Sequence, residues 1–301
     1  MSVTSAMMSG VSGLLTNAEA INVIGNNISN VNTVGFKYGR TLFSDLLSNS
    51  VNSTSQIGMG TKLQAVENIF SQGAAIPSEN ATDISISGRG FFVVQDDSAT
   101  PSTYYTRAGA FHVDENGKYL VNPDGMRLCD SAGALIDVSG FPVTAAVAAV
   151  AAVPAVAANP TAVPPVVAVA AVPAVAAVPA ATFDKITNIG LDGVISYIDT
   201  AGTTRIAGAV VGIATFPNEY GLEKTGGNMY KEDLSSGGSG AVKLGTSTVN
   251  TKIVGRSLEQ SNVDIATQMI NLITTQRAYS ANSKSITTSD EMMQDVIGLK
   301  R

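Results

Sequence analysis

Apolar residues recur by alternating steps of four and three at both ends of this chain, and between the ends the period falls to two. Near the N-terminus the register runs Val3, Met7, Gly10, Leu14, Asn17, Ile21, Ile24, Ile28 and Val31, with Gly10 and Asn17 as its non-apolar members. Such steps stay on one stripe of an α-helix, so the pattern predicts an amphipathic helix that ends near Asn30 to Gly35, where αL-tolerant residues follow one another. Near the C-terminus Ile265, Met269, Leu272, Gln276, Tyr279, Ser283, Ile286, Asp290, Met293 and Ile297 repeat the spacing. This second helix is expected to be longer and more polar, to run almost to Arg301, and to start at Ser261 as N-cap with Asp264 as the acid of a capping box. A narrow seam cannot be buried by one helix alone. The two helices therefore need one another, or copies of themselves.

Residues 36–72 mix apolar side chains with Ser, Asn and Gly and read as a connector, with a short helical turn around Leu42 to Leu47. From Ala81 the alternation is that of strands: Ile84 and Ile86, then Phe91 to Val94 after Gly88-Arg89-Gly90. Ala110 to Val113 and Tyr119 to Val121 flank Asp114-Glu115-Asn116-Gly117, a hairpin signal, and Pro123-Asp124-Gly125 marks a further turn. Strand patterning resumes at Ile186 to Ile198, around Asp192-Gly193, and at Ile206 to Phe216; Ser235 to Gly240 is a polar loop. The expected fold is α+β. Residues 1–35 and 256–301 form a coiled-coil-like terminal helical domain for polymerisation, and 73–141 with 183–255 form a mainly β body built from discontinuous segments.

Residues 142–182 interrupt that body. Between Val143 and Ala181 only Thr144, Asn159 and Thr161 are not Ala, Val or Pro, and the nonapeptide Val-Ala-Ala-Val-Pro-Ala-Val-Ala-Ala occurs at both 150 and 169. The tract has no charge, but prolines 154, 160, 164, 165, 173 and 179 break every apolar run well short of the roughly 18 residues a membrane span needs. It reads as a low-complexity, polyproline-rich surface insertion.

Composition then removes most chemistry. With a formal net charge of −6 over 301 residues the chain has no basic footprint for nucleic acid or an anionic membrane. Cys129 and His112 are the sole cysteine and histidine, which excludes an internal disulfide, a cysteine-based metal cluster and a multi-histidine site. The first basic residue is Lys37, so no charged n-region of a Sec-type signal is expected. Gly88-Arg89-Gly90 and Gly58-Met59-Gly60 lack the third glycine and lysine of a phosphate loop. Asp96-Asp97, Asp114-Glu115 and Asp290-Glu291 are adjacent pairs that suit solvated turns better than acid/base work, and Asp114 to Gly117 lacks the acidic ligands of a calcium loop. No nucleophile, base and orienting group converge, and no cofactor is implied. An enzyme is the weaker class beside a self-assembling structural subunit. Among the first 36 residues only Glu19 is charged, which suits a helix surrounded by other helices.

Four blocks carry a resemblance. Asn22 to Lys37, reading Asn-Val-Ile-Gly-Asn-Asn-Ile-Ser-Asn-Val-Asn-Thr-Val-Gly-Phe-Lys, resembles the signature of the bacterial flagellar axial proteins, the rod and hook family. Asp83 to Val94 with Ile-Ser-Ile-Ser-Gly-Arg-Gly-Phe-Phe, Tyr105 to Val121 with Tyr-Thr-Arg-Ala-Gly-Ala-Phe, and Gly255 to Arg301 with Leu-Glu-Gln-Ser-Asn-Val-Asp and Gln-Arg-Ala-Tyr are similar to the same family. The ending Thr-Thr-Ser-Asp-Glu-Met-Met-Gln-Asp-Val-Ile-Gly-Leu-Lys-Arg resembles the hook branch more than the distal rod branch, and so does Asn22 to Lys37. Length points instead to the distal rod branch, because hook members carry an outer β-domain where this chain has its Ala/Val/Pro tract.

The resemblance implies a structural subunit exported through the flagellar type III apparatus without a cleaved signal peptide. It would polymerise helically, outside the cell, into the tube joining rod to filament. The implied partners are copies of itself, the distal rod protein, the hook cap, the hook–filament junction proteins and the export apparatus, with no nucleic acid and no membrane insertion. The expected assembly interface comprises Val3, Met7, Leu14, Ile21, Ile24, Asn26, Asn27, Ile28, Asn30, Val31, Gly35 and Phe36 with Ile265, Met269, Leu272, Tyr279, Ile286, Met293 and Ile297.

Overall fold

A computed structural model describes residues 3–46, 50–52, 55–56, 58–98, 101–139, 183–200, 202–238 and 251–299. The expected Ala/Val/Pro insertion lies outside the described residues. The fold has a helix at each end and a mainly β body between them. Helix α1 is Val3–Ser29, and the chain then turns through 30–35 into β1 (Gly39–Asp45), β2 (Ser50–Asn52), β3 (Ser55–Gln56) and β4 (Thr61–Asn68). The first run of body strands is β5 (Ala75–Pro77), β6 (Ile84–Ser87), β7 (Phe91–Gln95), β8 (Thr103–Thr106), β9 (His112–Val113), β10 (Leu120–Val121) and β11 (Arg127–Leu128). The second is β12 (Phe183–Ile189), β13 (Val194–Asp199), β14 (Thr204–Val210), β15 (Ile213–Ala214), β16 (Glu223–Gly226), β17 (Met229–Lys231), β18 (Lys252–Gly255) and β19 (Ser257–Glu259), after which α2 spans Ile265–Gly298.

Strand β7 organises the body. It pairs with β8 along one edge and shares the other between β15, opposite Phe91 and Phe92, and β11, opposite Val94 and Gln95. Both of its faces are covered, which is why it reads Phe-Phe-Val-Val without polar interruption. Phe92 and Val94 enter one core with Ile84, Ile86, Leu120, Ile136, Ile195, Tyr197 and Ile253. Phe91 and Val93 enter the other with Tyr105, Cys129, Phe216 and Tyr230. Sequence-distant segments thus pair in several sheets: β16 and β17 continue the main one beyond β8, while β18 pairs with β6 and β19 with β5 in two separate two-stranded sheets. The hairpin at 112–121 closes as its Asn-Gly implies, with Gly117 at φ +66°.

Three expectations are corrected. The helical turn expected around Leu42 to Leu47 is a strand where it is described, because Leu42 and Phe43 lie in β1, which pairs antiparallel with β4 through a bulge between them; Leu47 lies outside the described residues. A short apolar run fits helix or strand, and here the adjacent α1 surface supplies something for a hairpin to cover: Thr16 Oγ1 lies 3.0 Å from Thr61 Oγ1. The stretch read as a connector is therefore largely a hairpin docked on the helix. The N-cap of α2 is Asp264 and not Ser261. Asp264 is extended, and its carboxylate accepts the Ala266 and Thr267 N–H groups at 3.2 and 3.3 Å, whereas Ser261 Oγ accepts only the N–H of Val263. The Thr267 hydroxyl and these N–H groups hold the Asp264 carboxyl below the ordinary carboxylate range. Finally, Ser257 to Glu259, grouped with the terminal helix, form a strand.

Burial pushes the Cys129 thiol up from 9.0 to about 12, with the carboxylate of Asp130 adding to the shift. A raised folded value means that the contribution of this group to stability is complete below about pH 9 and is lost as pH rises towards 12, at roughly 1.4 kcal/mol per pH unit. The unfolding free energy of a Cys129→Ala chain should accordingly fall less steeply across that window than the parent's. Parallel slopes in urea titrations would show that the thiol ionises freely in the folded state.

Candidate assembly interface

Helices α1 and α2 pack antiparallel. Gly10 faces Ile286, Gly13 faces Asn282, and Asn27 Nδ2 donates to Gln268 Oε1 at 3.1 Å, so paired positions sum to a nearly constant number. The two glycines set the spacing. A Cβ on Gly10 would lie 2.9 Å from Ile286 Cγ1, and one on Gly13 would lie 2.6 Å from Asn282 Nδ2. Their helix-propensity cost, about 1 kcal/mol each, is thus offset by close approach of the partner helix. Gly25 has no such contact.

The inward line of α1 is Gly10, Thr16, Ala20, Ile24 and Asn27, and that of α2 is Gln268, Leu272, Thr275, Asn282, Ile286 and Ser289. These are small or polar residues to an extent that an apolar template does not register. The predicted α1 seam of Met7, Leu14, Ile21 and Ile28 is half-buried and flanks this line by roughly 100°. In α2, Leu272, Ile286 and Met293 are half-buried, while Tyr279 is exposed. Ile265 and Met269 face outwards and are exposed; Ile297, also exposed, continues the inward line one turn beyond the start of α1.

Each helix keeps a second apolar surface. Met8, Val11 and Leu15 are exposed on the outer side of α1, Leu15 at 64%. Ile265, Met269 and Ile273 are exposed on one flank of α2, with Met292, Val296 and Leu299 near its far end. Charged side chains are scarce in the first of these surfaces. Sequence periodicity passed over Met8, Val11 and Leu15 because the register through Val3 and Met7 looked complete without them.

The asparagines divide between two roles. Asn27 is buried, and its amide pairs at two points with the backbone of Gly39, donating to its carbonyl at 2.8 Å and accepting its N–H at 2.9 Å. Asn30 serves the helix end, donating to the Asn26 carbonyl at 2.9 Å. Asn22 and Asn26 are exposed beside a groove of about 390 Å³ also lined by Val66, Phe36 and Lys224. Lys224 Nζ sits 4.6 Å from the Phe36 ring centroid, and partial burial lowers its pKa. Val31 follows the helix in the turn. Gly35 and Phe36 are buried within the subunit. Gly35 adopts φ +68°, and a Cβ there would approach the Ala108 nitrogen to 2.5 Å.

At the foot of the helices lies a cluster of buried charge. Lys37 Nζ donates to Glu259 Oε1 at 2.6 Å and to the Ser71 carbonyl at 2.7 Å, and the Gly73 N–H donates to the same Oε1 at 2.9 Å. Arg107 Nη1 reaches Glu259 Oε2 at 3.3 Å, Nη2 donates to the Gly88 carbonyl at 2.9 Å, and the guanidinium lies over Phe91 at 5.4 Å. Burial pushes the Lys37 ammonium below the ordinary lysine value against the pull of Glu259. No local pattern announces this cluster, because its members are 70 and 152 positions apart along the chain, although each sits in one of the blocks that carry the resemblance.

Those blocks match known families. A family model described as "Flagella basal body rod protein" matches residues 7–37, "Flagellar hook protein FlgE/F/G D1 domain" matches 85–197, and "Flagellar basal body rod FlgEFG protein C-terminal" matches 254–299. A flagellar basal-body rod protein FlgG of Bacillus subtilis is 32% identical over 308 residues, covering 98% of this chain and 99% of that one. The chain belongs to the flagellar rod and hook family. A flagellar hook protein FlgE of Borreliella burgdorferi is 26% identical over 449 residues, again covering 98% of this chain and 99% of the relative. The crystal structure of Helicobacter pylori flagellar hook protein FlgE2 aligns with 69% of this chain at 15% identity and a TM-score of 0.22; the chain spans 47% of that protein's length. Family members are structural components of the flagellar axis, and relatives of this chain bear both rod and hook names. Lys37, Arg107 and Glu259 fall one in each matched segment.

Proposed function

We propose that this chain polymerises through its paired terminal helices into a helical tube of the flagellar axis, and that the tube is the hook. The observation that carries the reading is the outward apolar surface of the two helices, which the subunit does not cover by itself. The α1–α2 pair then acts as a coiled-coil-like inner domain. Its outer lines, Met8, Val11 and Leu15 with Ile265, Met269 and Ile273, meet the same helices of neighbouring copies, and the half-buried Met7, Leu14, Ile21, Ile28, Leu272 and Met293 border those contacts. The β body occupies a larger radius and 142–182 is a peripheral insertion. In this reading the chain is not an enzyme. It leaves the cell through the type III apparatus without a cleaved signal peptide and meets the distal rod protein, the hook cap and the hook–filament junction proteins at the ends of the tube.

The hook assignment is supported by the resemblance of residues 287–301 and of Asn22 to Lys37 to the hook branch. A distal rod role is the second reading, and a specific observation favours it: the rod relative aligns end to end over 308 positions, whereas the hook relative needs 449. Purified chain, concentrated and examined by sedimentation and negative-stain imaging, should yield tubes; a monomer at every concentration would remove the assembly reading. Gold labelling of isolated flagellar bases separates the two locations, since label on the curved segment outside the envelope supports the hook and label on the straight shaft the rod.

A further inference from the structure

The buried cluster of Lys37, Glu259 and Arg107 sits where both helices join the body. Helix α1 ends shortly before Gly35, whose N–H donates to the Glu259 carbonyl at 2.8 Å, and α2 begins shortly after Asn262. Asn262 accepts the Tyr38 N–H at 2.9 Å and donates to the Ile69 carbonyl at 2.7 Å. The two helix-to-body passages are therefore tied to each other, and through Arg107 they are tied to the end of β8.

The chemistry of this node is unusual for a purely stabilising contact. Two cations share one carboxylate with almost no solvent exposure, and Arg107 Nε has no hydrogen-bond partner among the described residues. Dehydrating three charges consumes most of their mutual attraction, so apolar residues of similar volume would serve stability at least as well. Charged groups of fixed geometry do something that apolar ones cannot: they tolerate only one relative placement of the segments that carry them. Both cores of the β body are built from apolar side chains, and Arg107 borders the second by lying over Phe91.

We propose that Lys37, Glu259 and Arg107 form an orientation lock, which sets the one angle at which the helix pair leaves the β body and which the body does not need in order to fold. The value of a single angle to a tube, where every copy must present its helices alike, rests on the assembly reading above. The lock itself is a property of one subunit and is tested without polymer.

Spin labels at Ser280→Cys and Glu115→Cys, both exposed positions, in a Cys129→Ala background of the full chain at high dilution report the distance between helix pair and body by pulsed electron resonance. The parent should give one narrow distribution. Lys37→Met leaves a balanced Glu259–Arg107 pair, and it should broaden the distribution about twofold or more while the near-ultraviolet spectrum of the aromatic cluster around Phe91 and Tyr230 persists. Glu259→Gln, which strands two cations, should broaden it further. A Lys37→Met distribution as narrow as the parent's overturns the lock. Loss of the aromatic spectrum in Lys37→Met also overturns it, because the body would then depend on the cluster. Tube formation enters none of these readouts, so failure of the assembly reading is seen separately.

Discussion

A Leu15→Asp chain should fold and melt as the parent does and yet form no tubes, whereas Ile24→Asp should damage the subunit itself. The two residues lie on opposite sides of α1. Leu15 is 64% exposed on the outward line with Met8 and Val11, and Ile24 is buried among the residues that face α2. A carboxylate at an exposed helical position changes the stability of the free subunit by no more than about 0.5 kcal/mol. Placed against the apolar side chains of a neighbouring copy it costs several kcal/mol at each contact, and a helical tube repeats that contact in every subunit. At Ile24 the same penalty falls within the monomer. Thermal melts followed by helical circular dichroism, with sedimentation at equal protein concentration, distinguish the cases. Leu15→Asp protein that pelleted like the parent would take the outward line out of the interface.

How much of this could be read beforehand differs between helix and sheet. Both terminal helices were legible because a four-three repeat is sustained over many turns, and β7 was legible because the aromatic and β-branched run Phe91 to Val94 follows the alternation at Ile84 and Ile86 and the turn glycines 88 and 90. The faces of the helices were less so. Apolar spacing marks the seam at Met7, Leu14 and Ile21, yet the closest packing is built on Gly10, Gly13, Thr16 and Ala20, whose smallness and not whose hydrophobicity lets α2 approach. The β1–β4 hairpin was missed since Leu42 and Phe43 form too short a run to separate helix from strand, and its docking partner α1 is a tertiary fact. Glu259 and Asn262 stood inside a recognised block without any local sign that one would be buried against Lys37 and Arg107 and the other would hold Tyr38 and Ile69.

The same reasoning predicts a large loss of stability from the smallest of substitutions, Gly109→Ala. Gly109 follows Arg107 in the Thr-Arg-Ala-Gly-Ala-Phe block, where a glycine looks like ordinary loop composition. In the fold its carbonyl accepts the Ile84 N–H at 3.0 Å, bringing the two backbones together at the start of β6. A Cβ on Gly109 would stand 1.6 Å from the Ile84 carbonyl oxygen and 3.2 Å from Phe92 Cε2. Neither neighbour can give way cheaply. Ile84 is fully buried in the core, and Phe92 packs at right angles to Phe111 with ring centroids 5.6 Å apart. The methyl can be accommodated only by separating the segment at 108–110 from β6, which breaks the Ile84 hydrogen bond and opens the core beneath it. Overpacking of this kind costs about 3 kcal/mol or more when the clash is with backbone. Urea unfolding of Gly109→Ala should show that decrease, while Gly25→Ala, at a helical glycine with nothing within 4 Å of the added methyl, should leave the protein as stable or slightly more so. A Gly109→Ala loss below about 1 kcal/mol would mean that the approach of the two backbones is looser than this packing requires.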